Sequence, residues 1–179
     1  KQGALHPISH TTSERNFTVR EAMKTLQFWL LMTCISLRVM VTVALNIHFV
    51  PLLVWRGTSE MTSAYWLSLY AFTSIPFAIG LGWIGDRWNK ARLCSLSILP
   101  IIVSMLGMMF NGEEAILYIF PFAFAMIMGT ASLNWALIGD FFGRTSYATL
   151  RGIMGIGYGT ATFLSPIYTG WIFDRTESY

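Results

Sequence analysis

Charged residues are scarce in this chain of 179 residues, in which aspartate, glutamate, lysine and arginine together make up only 12% of the positions. Hydrophobic residues make up 54%. Because soluble domains carry roughly 25% charged residues, the composition excludes an ordinary water-soluble domain. It predicts a multi-pass protein of the cell membrane, in contact with the lipid bilayer. The polar first segment begins at Lys1 and shows no signal peptide, so we expect a piece of a larger protein.

The sequence also has few residues of the kinds that bind metals or perform catalysis. Its two cysteines, Cys34 and Cys94, fall in separate apolar segments without Cys-x-x-Cys spacing, so we expect both to be reduced core residues. No nucleotide-binding loop and no Ser/His/Asp arrangement is visible. We therefore expect no enzyme activity, no cofactor and no metal site. The basic residues are dispersed among hydrophobic segments, which argues against nucleic acid as a partner.

Polar residues dominate the first 25 positions. Residues 1–15 have no periodicity and are typical of a cytoplasmic linker. Thr18 and Glu21 have the spacing of a capping box, in which each side chain satisfies a free backbone N–H at the start of a helix. The sequence therefore predicts a linker with a short amphipathic lead-in helix over residues 1–25.

Five apolar segments fill residues 26–179, and their lengths suit a hydrocarbon core about 30 Å thick. They cover about 26–54, 63–84, 93–110, 115–138 and 149–173. Short polar turns, such as 55–60 and 111–114, separate some of them. This pattern predicts an all-α integral membrane protein with five transmembrane helices.

The densest charge cluster runs from Gly82 to Arg92, between the second and third segments. Charges are costly in hydrocarbon, so this cluster must lie at a membrane face, and clustered basic residues mark the cytoplasmic side. With five spans, the amino terminus is then cytoplasmic and the carboxyl end of the chain is on the outer side. Nine lysines and arginines face the cytoplasm in this topology, against Arg56 and Arg175 outside.

The order of residues in this cluster resembles the signature loop of the major facilitator superfamily, Gly-x-x-x-Asp-Arg/Lys-x-Gly-Arg-Lys/Arg. Four residues match the pattern: Gly82, Asp86, Arg87 and Lys90. Asn89 replaces the second glycine, and Ala91 replaces a basic residue whose charge Arg92 supplies. The resemblance implies a conformational latch formed by Gly82, Asp86, Arg87, Lys90 and Arg92.

Asp86 lies at the carboxyl end of a predicted helix, where the helix dipole disfavours a negative charge. Arg87 and Lys90 are the local candidates to compensate it. By the resemblance, Asp86 also contacts a helix amino terminus in the opposite half of the protein and holds the cytoplasmic side shut. A charge that only enforces topology is the alternative.

The fifth segment carries a second resemblance. Gly152, Gly155 and Gly159 share one helix face, which favours close packing with a neighbouring helix. The pattern that follows, from Ser165-Pro166 through Gly170 to Tyr179, resembles the end of helix eleven in the monocarboxylate-porter and oxalate/formate-antiporter branch. Plain helix packing is an alternative explanation of the glycines.

Together these resemblances imply the carboxyl-terminal half of a major facilitator transporter, with helices seven to eleven present and the final helix missing. The implied partners are an amino-terminal half of six helices and a small-molecule substrate. The implied function is secondary active transport by alternating access, with a monocarboxylate or another organic anion as the candidate substrate. A non-transporting scaffold, or a truncated and degenerate paralogue, is the alternative.

Arg38 is the main candidate for substrate binding. It follows Phe28 by ten residues, or about 15 Å along a helix, which places it near the membrane midplane. Thr42 and Asn46 follow at steps of four residues and extend a polar stripe that should face a cavity. A substrate anion, a group in the missing half, or backbone and hydroxyl oxygens could each meet the guanidinium.

Three further candidates for the cavity come from other spans: Tyr70, Asn134 and Tyr158. Ser74 on the second span and Thr162 on the fifth are candidate cavity hydroxyls of the same kind. For each of these groups a structural hydrogen bond is the alternative role. His48 points away from Arg38 and is either a packing residue or a proton-coupling group.

Overall fold

The computed structural model describes residues 16–110 and 114–177. The predicted linker 1–15, the turn at 111–113 and the final residues of the helix-eleven pattern, 178–179, lie outside these ranges. In the described residues the chain is all helix, without a strand. The helices are α1 Val19–Met23, α2 Leu26–Ile47, α3 Phe49–Trp55, α4 Glu60–Gly85, α5 Lys90–Leu96, α6 Leu99–Phe110, α7 Glu114–Gly129, α8 Ala131–Phe142 and α9 Tyr147–Thr176.

The first helix begins at the predicted capping box, which the structure confirms. The Glu21 N–H donates to Thr18 Oγ1 at 3.3 Å, and the Thr18 N–H donates to Glu21 Oε2 at 2.9 Å. Phe17, just before this box, donates its N–H to the carbonyl of Phe142 at 3.0 Å and packs edge-to-face on the Phe142 ring. The lead-in helix α1 is therefore fastened to the end of α8.

Two of the long apolar segments are broken by proline. Pro51 and Pro100 have no N–H to offer the carbonyl four residues earlier, and their rings clash with that carbonyl. Those carbonyls belong to Ile47 and Leu96, where α2 and α5 end. Each proline lies in the first turn of the next helix, where it is tolerated.

The fourth segment breaks at Thr130, between α7 and α8. Just before the break, Gly129 lies against the backbone of α4, since a Cβ there would come within 2.9 Å of the Phe77 carbonyl carbon. The helix then continues beyond the predicted limit near residue 138 and ends at Phe142, whose side chain is buried.

The main helix pairs are α4 with α7, α2 with α9 and α6 with α7. An aromatic cluster joins α3, α4 and α7, where Phe49 stacks on Tyr70, Phe120 and Phe124 at 5.4 to 6.0 Å between ring centroids. A second core cluster joins α2, α8 and α9 through Phe28, Phe142 and Met154. A third cluster joins α4, α5 and α8 through Leu81, Leu93 and Leu137. The described helices are thus held together by three clusters of buried side chains.

The ends of the helices gather on two faces. One, which we call the charged face, contains Asn16–Phe17, Asp86–Arg92 and Asp140–Ser146. Lys90 Nζ lies 2.8 Å from Asp140 Oδ2, and Ser146 Oγ donates to the Phe17 carbonyl at 3.0 Å. At the opposite face, Trp55 Nε1 donates to the Glu177 carbonyl at 3.1 Å. Helix α9 therefore runs between the two faces.

Four helical stretches are long and apolar enough to cross a membrane: Leu26–Ile47, Glu60–Gly85, Lys90–Gly107 and Ile119–Phe142. The structure is therefore consistent with an all-α membrane protein. Helix α9, which contains the fifth predicted segment, is not among the four although it has 30 residues. Its glycines and hydroxyl residues lower its hydropathy, and the five-span count remains a prediction.

The cysteine prediction is half right. Both thiols are free, and Cys94 is buried as expected, but Cys34 is exposed. Hydropathy indicated that Cys34 lies in an apolar helix. It could not indicate which side of that helix is covered by the other described helices. Cys34 lies on a side of α2 that borders an open groove, so its thiol is left accessible.

Candidate functional site

Five of the six predicted substrate residues line one cavity of about 240 Å³ between α2, α8 and α9. They are Arg38, Thr42, Asn46, Asn134 and Tyr158. The sixth, Tyr70, lies behind the cavity, where its hydroxyl accepts a hydrogen bond from Asn46 Nδ2 at 2.7 Å. The folded chain thus brings polar residues from distant segments together in one cavity, whose other walls are apolar.

Arg38 projects from α2 toward the break between α7 and α8. Its Nη2 donates to the carbonyl of Ile127 and to Thr130 Oγ1, the second at 3.1 Å. Its Nε is buried and has no hydrogen-bond partner among the described residues. Of the partners left open by the sequence, backbone and hydroxyl oxygens meet the guanidinium in this state.

Thr130 is fully buried at this break and was not singled out from the sequence. Its Oγ1 donates to the Ile127 carbonyl at 2.9 Å and lies 3.1 Å from Ser97 Oγ. Ser97 is buried at the break between α5 and α6, where it donates to the Cys94 carbonyl at 2.7 Å. A usable signal existed in the sequence, because small hydroxyl residues inside apolar segments can be expected to satisfy carbonyls at helix breaks.

The amide and hydroxyl groups of the cavity also have local partners. Thr42 Oγ1 donates to the carbonyls of Arg38 and Val39 in its own helix, at 3.0 and 3.2 Å. Asn134 Nδ2 donates to the Thr130 carbonyl at 3.3 Å. The structural roles offered as alternatives are therefore present for these two side chains, which also line the cavity.

An aromatic pair forms another part of the wall. The rings of Trp135 and Tyr158 lie 5.6 Å apart at 54°, and the Arg151 guanidinium lies 5.0 Å from the Trp135 ring centroid. Trp135 lines the cavity but was missed from the sequence, because neighbouring residues of a helix face different sides and Asn134 therefore does not indicate it.

Two further candidates, Ser74 and Thr162, do not reach the cavity. Ser74 Oγ donates to the Ala71 carbonyl and Thr162 Oγ1 to the Tyr158 carbonyl, each within its own helix. His48 lies at the break between α2 and α3, and it is not among the residues lining the cavity.

A second groove, of about 330 Å³, lies on the other side of Arg38, between α2, α5 and α8. Arg38 and Asn134 line both spaces. The groove is mostly apolar, and Cys34 and Cys94 contribute to its walls. Arg38 therefore stands between a cavity that contains several polar side chains and a more apolar groove.

The predicted latch residues lie on the charged face, but their local pairing differs from the expectation. Lys90 pairs with Asp140, and the Arg87 guanidinium stacks on Trp83 at 3.7 Å from the ring centroid. Neither Arg87 nor Lys90 forms an ion pair with Asp86 in the described part of the chain, and the compensation of its charge by these residues stays a prediction. Asp86 is exposed, and its carboxylate has no hydrogen bond or ion pair within residues 16–110 and 114–177.

The other latch positions have simple local roles. Asn89 is the N-cap of α5, and its Oδ1 accepts the N–H of Arg92 at 3.1 Å. This explains how asparagine serves where the family pattern has glycine. The Arg92 side chain is exposed, and a Cβ added at Gly82 would meet no described atom within 4 Å.

The glycine face of α9 is open. A Cβ added at any of four glycines, Gly152, Gly155, Gly159 and Gly170, would meet no described atom within 4 Å. The close contact with α2 is made instead by Gly157, where a Cβ would come within 2.7 Å of Ser36 Oγ. Pro166 lies inside α9, next to Ser165, whose hydroxyl donates to the Met40 carbonyl of α2.

Comparison with known proteins gives one distant similarity to report. No family model matches the chain. Monocarboxylate transporter 12 from Xenopus laevis is 24% identical over 138 residues, which cover 74% of this chain and 30% of that protein. The chain thus spans less than a third of the length of this relative.

Proposed function

We propose that this chain is part of a secondary active transporter of the major facilitator type, which moves a small organic anion, foremost a monocarboxylate, by alternating access. The observation that carries the proposal is the cavity that collects Arg38 with the amide and hydroxyl groups of Asn46, Asn134 and Thr42. The distant similarity to a monocarboxylate transporter supports the same function.

The charge of the cavity favours an anion. Among the described residues that line the cavity, Arg38 is the one charged residue, and none of them is acidic. An arginine in the middle of a membrane helix loses hydration and is retained where acceptors or a counter-charge meet it. A carboxylate suits this position because a guanidinium binds it through charge-assisted hydrogen bonds.

We further propose that a second half of six helices completes the transport pathway and that α9 is a fifth span. Two observations support this arrangement. Helix α9 extends from the Phe17 contact to the Trp55 contact, which are at opposite faces. The exposed Asp86 carboxylate is free to contact a helix amino terminus of the other half. In this arrangement the charged face is cytoplasmic, because it carries most of the basic residues.

The test is flux of a radiolabelled monocarboxylate, such as lactate, into sealed vesicles that contain the full-length protein. We expect saturable uptake in the wild type and a loss of at least tenfold in kcat/KM for Arg38→Gln, since the only charge in the cavity is removed. Arg56→Gln is the matched control, because Arg56 lies at the opposite face and stacks on Trp55. Uptake by Arg38→Gln with an unchanged KM would show that the anion site is elsewhere.

A further inference from the structure

The way in which Arg38 is held limits how it can bind a carboxylate. A guanidinium binds a carboxylate most strongly through two parallel N–H···O hydrogen bonds from neighbouring nitrogens. Its two outward-facing donor pairs are Nε with Nη2 and Nη1 with Nη2, so each includes Nη2. Both N–H groups of Nη2 are occupied here, by the carbonyl of Ile127 and by Thr130 Oγ1. A carboxylate cannot bind bidentately while these contacts persist.

The same contacts hold three helical segments together. Arg38 comes from α2, while Ile127 and Thr130 flank the break between α7 and α8. Thr130 also contacts Ser97, at the break between α5 and α6, at 3.1 Å. Helix breaks are places where a helix can change direction, because the ladder of backbone hydrogen bonds is interrupted there. Nη2 therefore links α2 directly to the break between α7 and α8 and, through Thr130, to the break between α5 and α6.

From this geometry we infer that the substrate carboxylate competes with Ile127 and Thr130 for Nη2, so that bidentate binding detaches α2 from the break between α7 and α8. This inference rests on the proposed function and adds to it a link between binding and conformational change. A ligand shifts a conformational equilibrium only through its different affinity for the two states. Here the difference is the second hydrogen bond, which is available to the carboxylate only in the detached state.

The test measures the equilibrium dissociation constant of radiolabelled lactate for the purified full-length protein and for Thr130→Val. Valine keeps the shape of threonine but cannot accept a hydrogen bond from Nη2, so the competitor is weakened. We expect lactate to bind Thr130→Val about tenfold more tightly than the wild type, as one charge-assisted hydrogen bond is no longer displaced. Thr130→Ser restores the hydroxyl and is expected to restore the wild-type affinity.

Thr73→Val is the matched control for the loss of a threonine hydroxyl inside a helix. Thr73 donates only to carbonyls of its own helix α4, at 2.8 and 3.1 Å, and is not part of the cavity wall. It should leave the dissociation constant unchanged. If Thr130→Val does not fold, Thr130→Ala removes the same acceptor and takes its place.

The possible outcomes distinguish a failure of this inference from a failure of the proposed function on which it rests. If the wild type binds lactate and Thr130→Val binds it equally well or more weakly, Thr130 does not compete with the substrate, and the inference alone is overturned. If the wild type binds neither lactate nor any other small monocarboxylate tested, the proposed function and this inference are overturned together. Tighter binding by both Thr130→Val and Thr73→Val would also contradict it, because the effect would not depend on the contact with Arg38.

Discussion

Single residues at the charged face show how backbone geometry joins distant parts of the chain. Gly143 has φ of 79° and ψ of −177°, a conformation that is almost confined to glycine. This allows the chain to turn directly after α8, so that the next N–H, from Arg144, reaches Asn16 Oδ1 at 3.2 Å. The turn thereby holds the segment before α1 against the end of α8.

We expect Gly143→Ala to destabilise the protein by about 1–3 kcal/mol, because alanine is strained in this backbone conformation. Its Cβ would also lie 2.3 Å from Asn16 Oδ1 and displace it. The measurement is the thermal melting temperature of the purified full-length protein in detergent. Gly80→Ala is the control, since a Cβ there meets no described atom within 4 Å. Equal melting temperatures for the two variants would contradict the role of this turn.

At the scale of elements, packing and sequence pattern disagree about α9. The sequence indicated one glycine face as the packing face, but the contact with α2 lies at Gly157, which projects from a different side of the helix. Periodicity identified a face with small side chains, yet it could not indicate which face a neighbour covers, since that depends on the positions of all the helices. Only the tertiary arrangement distinguishes the two.

This difference predicts unequal effects of two leucine substitutions in α9. Gly157→Leu should lower the melting temperature, with a cost of about 1–3 kcal/mol for overpacking, because its Cβ meets Ser36 and Met32 of α2. A Cβ at Gly159 meets no described atom within 4 Å, so Gly159→Leu should leave the contact between α2 and α9 intact. A Gly157→Leu protein as stable as the wild type would contradict this packing. A loss confined to Gly159→Leu would indicate a contact with the rest of the full-length protein.

At the scale of the whole molecule, the arrangement of helix ends gives a testable topology. We propose that Trp88 and Thr145, on the charged face, are cytoplasmic, whereas Glu60 and Glu177, at the opposite face, are outside. Each is replaced singly by cysteine, with both native cysteines changed to serine, and labelled in intact cells with a membrane-impermeant thiol reagent. We expect labelling only at positions 60 and 177. Labelling of 145 and 177 from the same side would eliminate α9 as a span.

Much of this architecture could be predicted from the sequence, and the remainder depended on contacts. Hydropathy located the apolar helices, and a step of four residues along α2 predicted that Arg38, Thr42 and Asn46 share a surface, which all three do in the cavity. The partners of Arg38 could not be predicted, because Thr130 is 92 residues away and meets it only in the folded chain. The ion pair of Lys90 with Asp140 was missed for the same reason.

The length of α9 has a consequence for the lipid around the protein. Its 30 residues span about 45 Å, whereas the hydrocarbon core of a bilayer is about 30 Å thick. In the proposed transporter the excess length requires tilt or projection into the headgroup regions. The ends of α9 contact Phe17, which precedes α1, and Trp55 of α3. Because α9 also packs along α2, a change in its tilt is expected to move the helix that carries Arg38. In the proposed transporter we therefore expect bilayer thickness to act on the geometry of the cavity around Arg38, so that acyl-chain length controls this geometry.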